Sequence, residues 1–567
     1  MSSTPPPAKG VHEISDRFVD DFVSLAPSDA TFIGISGYDD KLTDYSPEGF
    51  AARGELAATA LRAMAAAEPA DAAQRVAKAV FQERIGLDSE LHQAGLDSAA
   101  LNVIASPVQE IREVFDLMPT ESTEHWENIA ARLRSVPDAL AGLRVSLGAG
   151  AAAGRCAALR QVEKVAGQCD TWSGGGDVDS FFGSLIGGAD GRADVNATLR
   201  TELQAGADAA AQAYADFARF LRADLAPKAP TKDAVGPEAY QLWSRYFIGA
   251  RLDLAEAYAW GWEEFFRIET EMKEVAGRVV RPGATLAEAA AALDVDPRYQ
   301  VTGQDAFQQW MQNLSDAALR ELRGVHFEIP DELMSLECRI APPGGGNGAY
   351  YTGPADDMSR PGRMWWSVNT GQADFATWRE VTTVYHEGVP GHHLQVATAV
   401  HLRERLNKFQ RLLCWVSGHG EGWALYSERL MRELGYLSDD GDLMGMLNAQ
   451  LLRAARVIVD IGMHLELEIP KGTGFHEGER WTPELGLEFM LTRTIEARDH
   501  VYDEVDRYLG WPGQAPSYKL GERLWLAARD DARKRGGADF DIKAFHRQAL
   551  EMGALGLDDL REQLAQL

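Results

Sequence analysis

The sequence has 567 residues, of which 45% are hydrophobic and 25% are charged, a composition typical of globular proteins. Asp and Glu number 85 against 56 Lys and Arg, so the formal net charge is −29. This charge argues against nucleic acid, whose phosphates require a cationic face, and against adhesion to an anionic membrane surface. A run of about eighteen apolar residues, which a transmembrane helix requires, is missing from the sequence.

Residues 1–10 are rich in Pro and are expected to form a flexible leader, without the apolar core of a signal peptide. The cysteines are Cys156, Cys169, Cys338 and Cys414, and their spacing contains no CxxC pair. Four cysteines in a chain of this length do not indicate a disulfide framework, so reduced thiols are expected. These features together predict a cytoplasmic protein.

From residue 11 onwards almost all of the sequence reads as amphipathic helix. Residues 51–93 are typical, since strong helix formers alternate there with apolar residues spaced three and four apart. Alternation with period two is scarce, and the best strand candidates are SLECRIAPPGGG and RMWWSVNT. The pattern predicts a mainly α fold with a small β element.

The segment REVTTVYHEGVPGHHLQ, residues 379–395, carries the chemistry. Zinc hydrolases bind their ion through neutral imidazole nitrogens and use a neighbouring carboxylate to take a proton from metal-activated water. His386 and the histidines that follow it therefore predict a metal site. Glu387, next to His386, is the predicted general base.

The histidine spacing departs from the HExxH pattern, in which two ligands lie four residues apart on one helix. His386 and His392 are six residues apart, which on an unbroken helix places them about 120° apart around the axis. Pro390 removes a backbone N–H and clashes with the preceding turn, and Gly391 permits unusual dihedral angles. We therefore expect the helix to break here and His392 to face the ion. His393 remains the alternative, because it shares the face of His386 if the helix is intact.

A third ligand is expected from the helix that begins near SGHGEGWALYSERL. Glu421 is the candidate, and its alternative role is to complement the helix dipole at an N-terminus. Glu428, seven residues later on the same face, is expected either to support a ligand or to lie at the surface. Two histidines and a carboxylate predict one zinc ion, although other divalent transition metals accept the same ligands.

Two residues are candidates to stabilise the oxyanion that develops during hydrolysis, namely His464 and Tyr518. His464 lies on a predicted helix stripe with Arg456 and Asp460, since the three are spaced four residues apart. A structural ion-pair stripe is the alternative interpretation of this spacing.

Four residues are candidates for binding the substrate. They are Tyr351, Arg360, Arg456 and Lys519. An arginine suits a bidentate grip on a carboxylate, and ordinary packing is the alternative role for each of the four.

Nearly the whole chain resembles the bacterial zincin-like family catalogued as domain of unknown function 885. The motifs that carry the resemblance are YYTGPADDMSRPGRMWWSVN, YHEGVPGHHLQ, EGWALYSERL and WPGQAPSYKLGERLWLAAR. The resemblance implies a large helical zincin-like metallopeptidase fold with a deep cleft, similar to helical zinc carboxypeptidases and oligopeptidases. It also implies that His386, His392 and Glu421 bind the metal and that Glu387 is the base.

We therefore expect a single large helical catalytic unit over residues 11–567, with the β element near the metal. A division into an N-terminal lobe (11–340) and a metal-binding lobe (341–567) is compatible with the pattern. The expected function is that of a zinc metallopeptidase cleaving short peptides. The alternatives are a metal-dependent amidohydrolase of small metabolites and a non-catalytic helical scaffold with a degenerate site. No pattern indicates an oligomeric state.

Overall fold

The computed structural model describes residues 10–175, 179–341, 348–368 and 371–565. Of the leader predicted at residues 1–10, all but Gly10 lie outside these ranges. The chain is 67% helical with a few small strands, which confirms the prediction of a mainly α fold. Within the described ranges, no helix combines the length and the apolar character needed to cross a bilayer.

Helices account for most of the described residues. Those of the first half are α1 (Val11–Leu25), α2 (Pro27–Phe32), α3 (Pro47–Ala66), α4 (Ala72–Ala94), α5 (Pro107–Glu113), α6 (Thr123–Ala152), α7 (Leu159–Ser173), α8 (Phe181–Gly187), α9 (Ala197–Phe220), α10 (Gly236–Ile248) and α11 (Leu254–Val279). Those of the second half are α12 (Leu286–Leu293), α13 (Gln304–Leu322), α14 (Glu380–Glu387), α15 (His392–His401), α16 (Ser417–Glu433), α17 (Asp440–Leu465), α18 (Pro483–Arg493), α19 (Arg498–Gly510), α20 (Ser517–Gly536), α21 (Ile542–Leu550) and α22 (Leu557–Ala565).

Several helices begin where the sequence supplies a capping side chain. Ser46 accepts a hydrogen bond from the backbone N–H of Gly49 at the start of α3. Thr285 and Glu288 form a capping box at α12, and Asp439 caps α17. Such caps pair N–H groups that lack a partner inside the helix, and each stabilises a helix by about 1 kcal/mol. Shorter 3₁₀ and π segments are Val114–Leu117, Leu221–Leu225, Ala226–Lys228, Pro297–Tyr299, Asp331–Leu333, Thr377–Arg379, Phe409–Leu413 and Gly537–Asp539.

Among the described residues, five short strands form two small sheets. The strands are β1 (Gln300–Thr302), β2 (Leu336–Ile340), β3 (Ala349–Thr352), β4 (Gly362–Trp366) and β5 (Asp374–Ala376). β1 and β5 pair antiparallel, while the second sheet has the order β2-β4-β3, with β2 parallel and β3 antiparallel to β4. Each of the two predicted strand segments contributes a strand to this second sheet, as β2 and β4, while residues 342–346 and 369–370 of those segments lie outside the described ranges. The same sheet lies against the helices that carry the metal segment, since β3 contacts α14 and β4 contacts α15.

The chain divides into two compact units. Unit 1 comprises residues 1–70, 81–234 and 506–511, and unit 2 comprises residues 71–80, 235–505 and 512–567. The core of unit 1 is built from apolar residues of several helices, among them Trp126, Leu133 and Tyr214, which are fully buried. Unit 2 contains every residue that the sequence analysis selected for the site.

Two helix pairs form the frame of unit 2. α11 packs on α17, and α16 packs on α20. At the second contact the backbones approach closely, because a Cβ added to Gly422 would lie 2.6 Å from the Cα of Gly521. Since Gly422 follows Glu421 directly, this approach fixes the position of the predicted third ligand.

Candidate metal centre

The helix that carries the first histidine is interrupted where the sequence predicted a break. α14 ends at Glu387 and α15 begins at His392. Between them the N–H of Gly391 donates to the carbonyl of Tyr385 over 3.1 Å. A Cβ on Gly391 would overlap the carbonyl oxygen of His386, so glycine is required at the bend. The break turns the chain so that His392 lies beside His386.

His386, His392 and Glu421 form a cluster in which one ligand atom from each residue lies within 4.8 Å of the others. The Nε2 atoms of His386 and His392 are 3.3 Å and 3.6 Å from the Oε2 atom of Glu421. The imidazole rings are nearly perpendicular, with centroids 4.9 Å apart. Both histidines are buried.

A carboxylate contacts the imidazole of His386 at the ring nitrogen that faces away from Glu421. Its Nδ1 atom lies 2.7 Å from the Oε1 atom of Glu428, and the other carboxylate oxygen of Glu428 accepts a hydrogen bond of 2.8 Å from the hydroxyl of Thr382. A carboxylate facing Nδ1 favours a hydrogen on that nitrogen, so that Nε2, on the side of Glu421 and His392, is the nitrogen available to bind a metal. Glu428 is itself buried.

His393, the alternative ligand, has both ring nitrogens engaged elsewhere. Its Nε2 atom lies 2.9 Å from the carbonyl oxygen of Leu333 and must therefore donate. Its Nδ1 atom then accepts the hydroxyl hydrogen of Tyr351 over 3.0 Å. Burial lowers the pKa of His393 to about 4, so the ring is neutral. The structure thus brings His392 rather than His393 to the cluster.

Glu387 lies buried at the end of α14, next to the cluster. Burial raises the pKa of its carboxyl, and the charges of His392 and His386 oppose this shift. A buried carboxyl with a raised pKa suits a general base, because its carboxylate form binds a proton more strongly than an exposed carboxylate does.

The cluster strongly favours a positive charge. Although burial opposes ionisation of Glu421, hydrogen bonds with His386 and His392 hold its pKa well below the usual range. Burial likewise opposes the imidazolium of His386, but hydrogen bonds to Glu421 and Glu428 raise its pKa to about 10. Both shifts have one cause, since an imidazolium and a carboxylate at short range favour each other's charged form.

The donor set fits zinc. Two imidazoles and one carboxylate are the ligands of open, catalytic zinc sites, which keep a fourth position for water or substrate. The Nδ1 atom of His392 is buried and has no hydrogen-bond partner among the described residues. Because ligating histidines bind a metal with one nitrogen and use the other as a donor, a buried water at this Nδ1 would complete the arrangement.

Two tryptophans frame the second histidine. The indole N–H of Trp423 donates to the carbonyls of Pro390 and Gly391, at 2.8 Å and 3.2 Å, and so fixes the bend. The ring of Trp415 lies 6.0 Å from that of His392 and is 50% exposed. An aromatic surface open to solvent therefore borders the cluster.

The predicted stripe of Arg456, Asp460 and His464 lies on α17, and its residues are buried. Arg456 pairs with Glu504 over 2.7 Å. Asp460 accepts the hydroxyl of Tyr240 over 2.6 Å, and the ring of His464 lies 5.6 Å from the same tyrosine. The stripe thus forms a buried polar network, and the catalytic role of His464 and the substrate-binding role of Arg456 stay predictions.

The side chains of Tyr518 and Lys519, adjacent at the start of α20, have different surroundings. The guanidinium of Arg456 lies 4.7 Å from the ring centre of Tyr518. The ammonium of Lys519 is fully buried, bonds Gln450 and forms ion pairs with Glu264 (3.0 Å) and Glu522 (2.5 Å). These partners occupy all three donors of Lys519.

The other two candidate substrate-binding residues support the chain around the second sheet. The hydroxyl of Tyr351 bonds His393 and so links β3 to α15. The guanidinium of Arg360 donates to the carbonyls of Pro361 and Gly353, at 3.0 Å and 2.9 Å. Both side chains therefore stabilise local structure, and their contact with a substrate stays a prediction.

Sequence reasoning missed two residues of this region. Thr382, which holds Glu428, lies four residues before His386 and so on the same helix face. Arg453 lies one turn before Arg456 on α17, and its charge acts on the Glu387 carboxylate. Arg453 lies three residues before Arg456, so a search at spacings of both three and four residues along this helix would have identified it.

Comparison with known proteins gives a family and a fold. Residues 27–564 match the model of the family described as "Bacterial protein of unknown function (DUF885)". A "putative lipoprotein from Colwellia psychrerythraea" has a similar solved structure, with a TM-score of 0.83, 23% identity and 98% coverage of each chain. A "putative lipoprotein of unknown function from Shewanella oneidensis" has a TM-score of 0.74 and 18% identity over 98% of this chain and 100% of that one. No curated protein matches.

The expected cytoplasmic location is wrong. Both solved structures are described as lipoproteins, a class that is membrane-anchored or secreted. The four cysteines are indeed unpaired, but unpaired cysteines do not determine the compartment. A chain of this size buries enough apolar surface to fold without disulfides in any compartment.

Proposed function

We propose that the chain, which belongs to the DUF885 family, is a zinc-dependent hydrolase of the zincin-like type that cleaves short peptides. The observation that carries this proposal is the cluster of His386, His392 and Glu421, with the buried carboxyl of Glu387 beside it. The break at Pro390 and Gly391 supports it, because the chain adopts a constrained bend to bring His392 to the cluster.

His386, His392 and Glu421 would hold the ion. When bound, zinc supplies a Lewis acid that polarises a carbonyl and lowers the pKa of water. Glu387 accepts a proton from the attacking water, whose oxygen forms a bond to the carbonyl carbon. The C–N bond then breaks and the leaving amine takes up the proton that Glu387 held, so that water has been added across the amide.

The first test is the variant Glu387→Gln, which keeps the size of the side chain and removes the base. We expect the wild-type protein to bind one zinc ion and to hydrolyse a mixture of short peptides, with the products identified by mass spectrometry. General-base catalysis contributes about 10²–10⁴-fold, so the variant should lose activity by about that factor while still binding zinc. His386→Ala and Glu421→Ala should lose both zinc and activity.

The matched control is Glu404→Gln, which alters a carboxylate that is 92% exposed and should leave zinc content and turnover unchanged. Peptide hydrolysis that persists in the Glu387→Gln variant, or a wild-type protein that takes up no zinc, would contradict the proposal. The test therefore separates a metal-binding protein without activity from an enzyme.

A further inference from the structure

Arg453 on α17 is a cation without a carboxylate partner. Within the described ranges, no Asp or Glu oxygen lies within 4.0 Å of its guanidinium, and its hydrogen bond is to the carbonyl of Ala449 at 3.2 Å. Its Nε atom is buried and has no partner among the same residues. Arg456, one turn later, is paired with Glu504. In a chain with 85 acidic against 56 basic residues, an arginine left unpaired in a partly buried position requires an explanation.

The position of Arg453 connects it to the candidate metal centre. α17 packs against α14, the helix that ends at Glu387. The guanidinium of Arg453 lies within electrostatic range of the Glu387 carboxyl. The guanidinium also lies 6.0 Å from the ring centre of Tyr518, a residue that the sequence analysis placed at the site.

We infer that Arg453 binds the C-terminal carboxylate of the peptide substrate, which makes the enzyme an exopeptidase acting at the C-terminal end. This inference rests on the proposed function and names its substrate class. A guanidinium presents N–H donors in a planar fork that matches a carboxylate, and leaving a buried donor unpaired is unfavourable. A substrate carboxylate supplies the missing partner and places the scissile amide, which is near the chain end, close to Glu387.

The test compares two substrates that differ only in this group, N-acetyl-alanyl-phenylalanine and its C-terminal amide. A charged hydrogen-bonded pair accounts for about 10- to 100-fold, so the zinc-loaded wild type should cleave the acid with a kcat/KM higher than that of the amide by about this factor. Arg453→Met should reduce kcat/KM for the acid to the level of the amide and leave the amide nearly unchanged. Arg453→Lys should restore part of the preference, because it keeps the charge without the fork.

The control is Arg405→Met, which removes an exposed arginine paired with Glu551 and should leave the preference intact. Equal cleavage of acid and amide by the wild type overturns the inference while the hydrolase proposal stands. An equal loss on both substrates in Arg453→Met and in Arg453→Lys also overturns it, because that result indicates a structural role.

If neither compound is cleaved, binding decides the role of Arg453 independently of turnover, and the peptide mixture described above decides the hydrolase proposal. Calorimetric titration of the Glu387→Gln protein with the two compounds measures this directly. Tighter binding of the acid, lost when Arg453→Met is added, supports the inference. Equal affinities for acid and amide overturn it.

Discussion

At the scale of single residues, the orientation of His386 depends on a carboxylate that would not touch the ion. Glu428 contacts Nδ1 of His386 at 2.7 Å and is held in turn by Thr382 at 2.8 Å. Sequence reasoning left Glu428 between a supporting and a surface position, because residues seven apart share a helix face whether that face is buried or exposed. Its burial and its contact with His386 favour the supporting role.

Replacing this carboxylate should weaken the metal site without removing a ligand. Outer partners of ligating histidines change metal affinity by about 10- to 100-fold, so Glu428→Gln should bind zinc more weakly by about this factor. Competition with a chelator of known affinity measures the change. Glu404→Gln is again the control, and an unchanged zinc affinity in Glu428→Gln would show that the 2.7 Å contact does not orient the ligand.

At the scale of elements, the break between α14 and α15 was the feature best predicted from sequence. A proline and a glycine lie between the two histidines, which are six residues apart. The proline lacks a backbone N–H and clashes with the preceding turn, so the helix ends there, and the glycine permits the bend that follows. The choice of His392 over His393 depended on how far the chain turns, which spacing alone does not determine. The contacts of His393 with Leu333 and Tyr351 supply that information, and they come from residues more than 40 positions away in sequence.

Adding a methyl group at the bend should disrupt the site. In Gly391→Ala the new Cβ would overlap the backbone carbonyl of His386 and lie 2.5 Å from that of Tyr385, neither of which can rotate away. We expect zinc binding to be lost and the melting temperature to fall. Gly277→Ala in α11 is the matched control, because its Cβ would meet its nearest neighbour at an ordinary 3.8 Å. Zinc binding by Gly391→Ala equal to that of the control would contradict this account of the bend.

At the scale of the whole molecule, composition and periodicity predicted a mainly helical chain, but they could not predict which charges are buried. Lys519 illustrates the limit. It was a candidate for substrate binding because it follows a turn, yet its partner Glu264 lies far away in sequence on α11. The ion pair between Lys519 and Glu264 results from the packing of α11 and α20, and the sequence around Lys519 alone does not predict it.

Zinc should stabilise unit 2 selectively, because every candidate ligand belongs to it. A ligand that binds only the folded state lowers the population of open forms around its site. Hydrogen exchange followed by mass spectrometry should therefore slow on adding zinc in peptides covering residues 380–401 and 417–433. Peptides from residues 81–234 of unit 1 serve as the internal control, and an equal slowing there would indicate nonspecific binding.

The close approach of Gly422 and Gly521 has a consequence for how this protein can change over generations. Because the backbones of α16 and α20 touch at this point, a side chain on either glycine pushes the helices apart and moves Glu421 with them. Gly521 is not a candidate ligand, yet its contact with Gly422 helps to determine the position of Glu421. If the proposed ion binds at Glu421, substitution of either glycine should weaken metal binding even though neither residue is itself a candidate ligand.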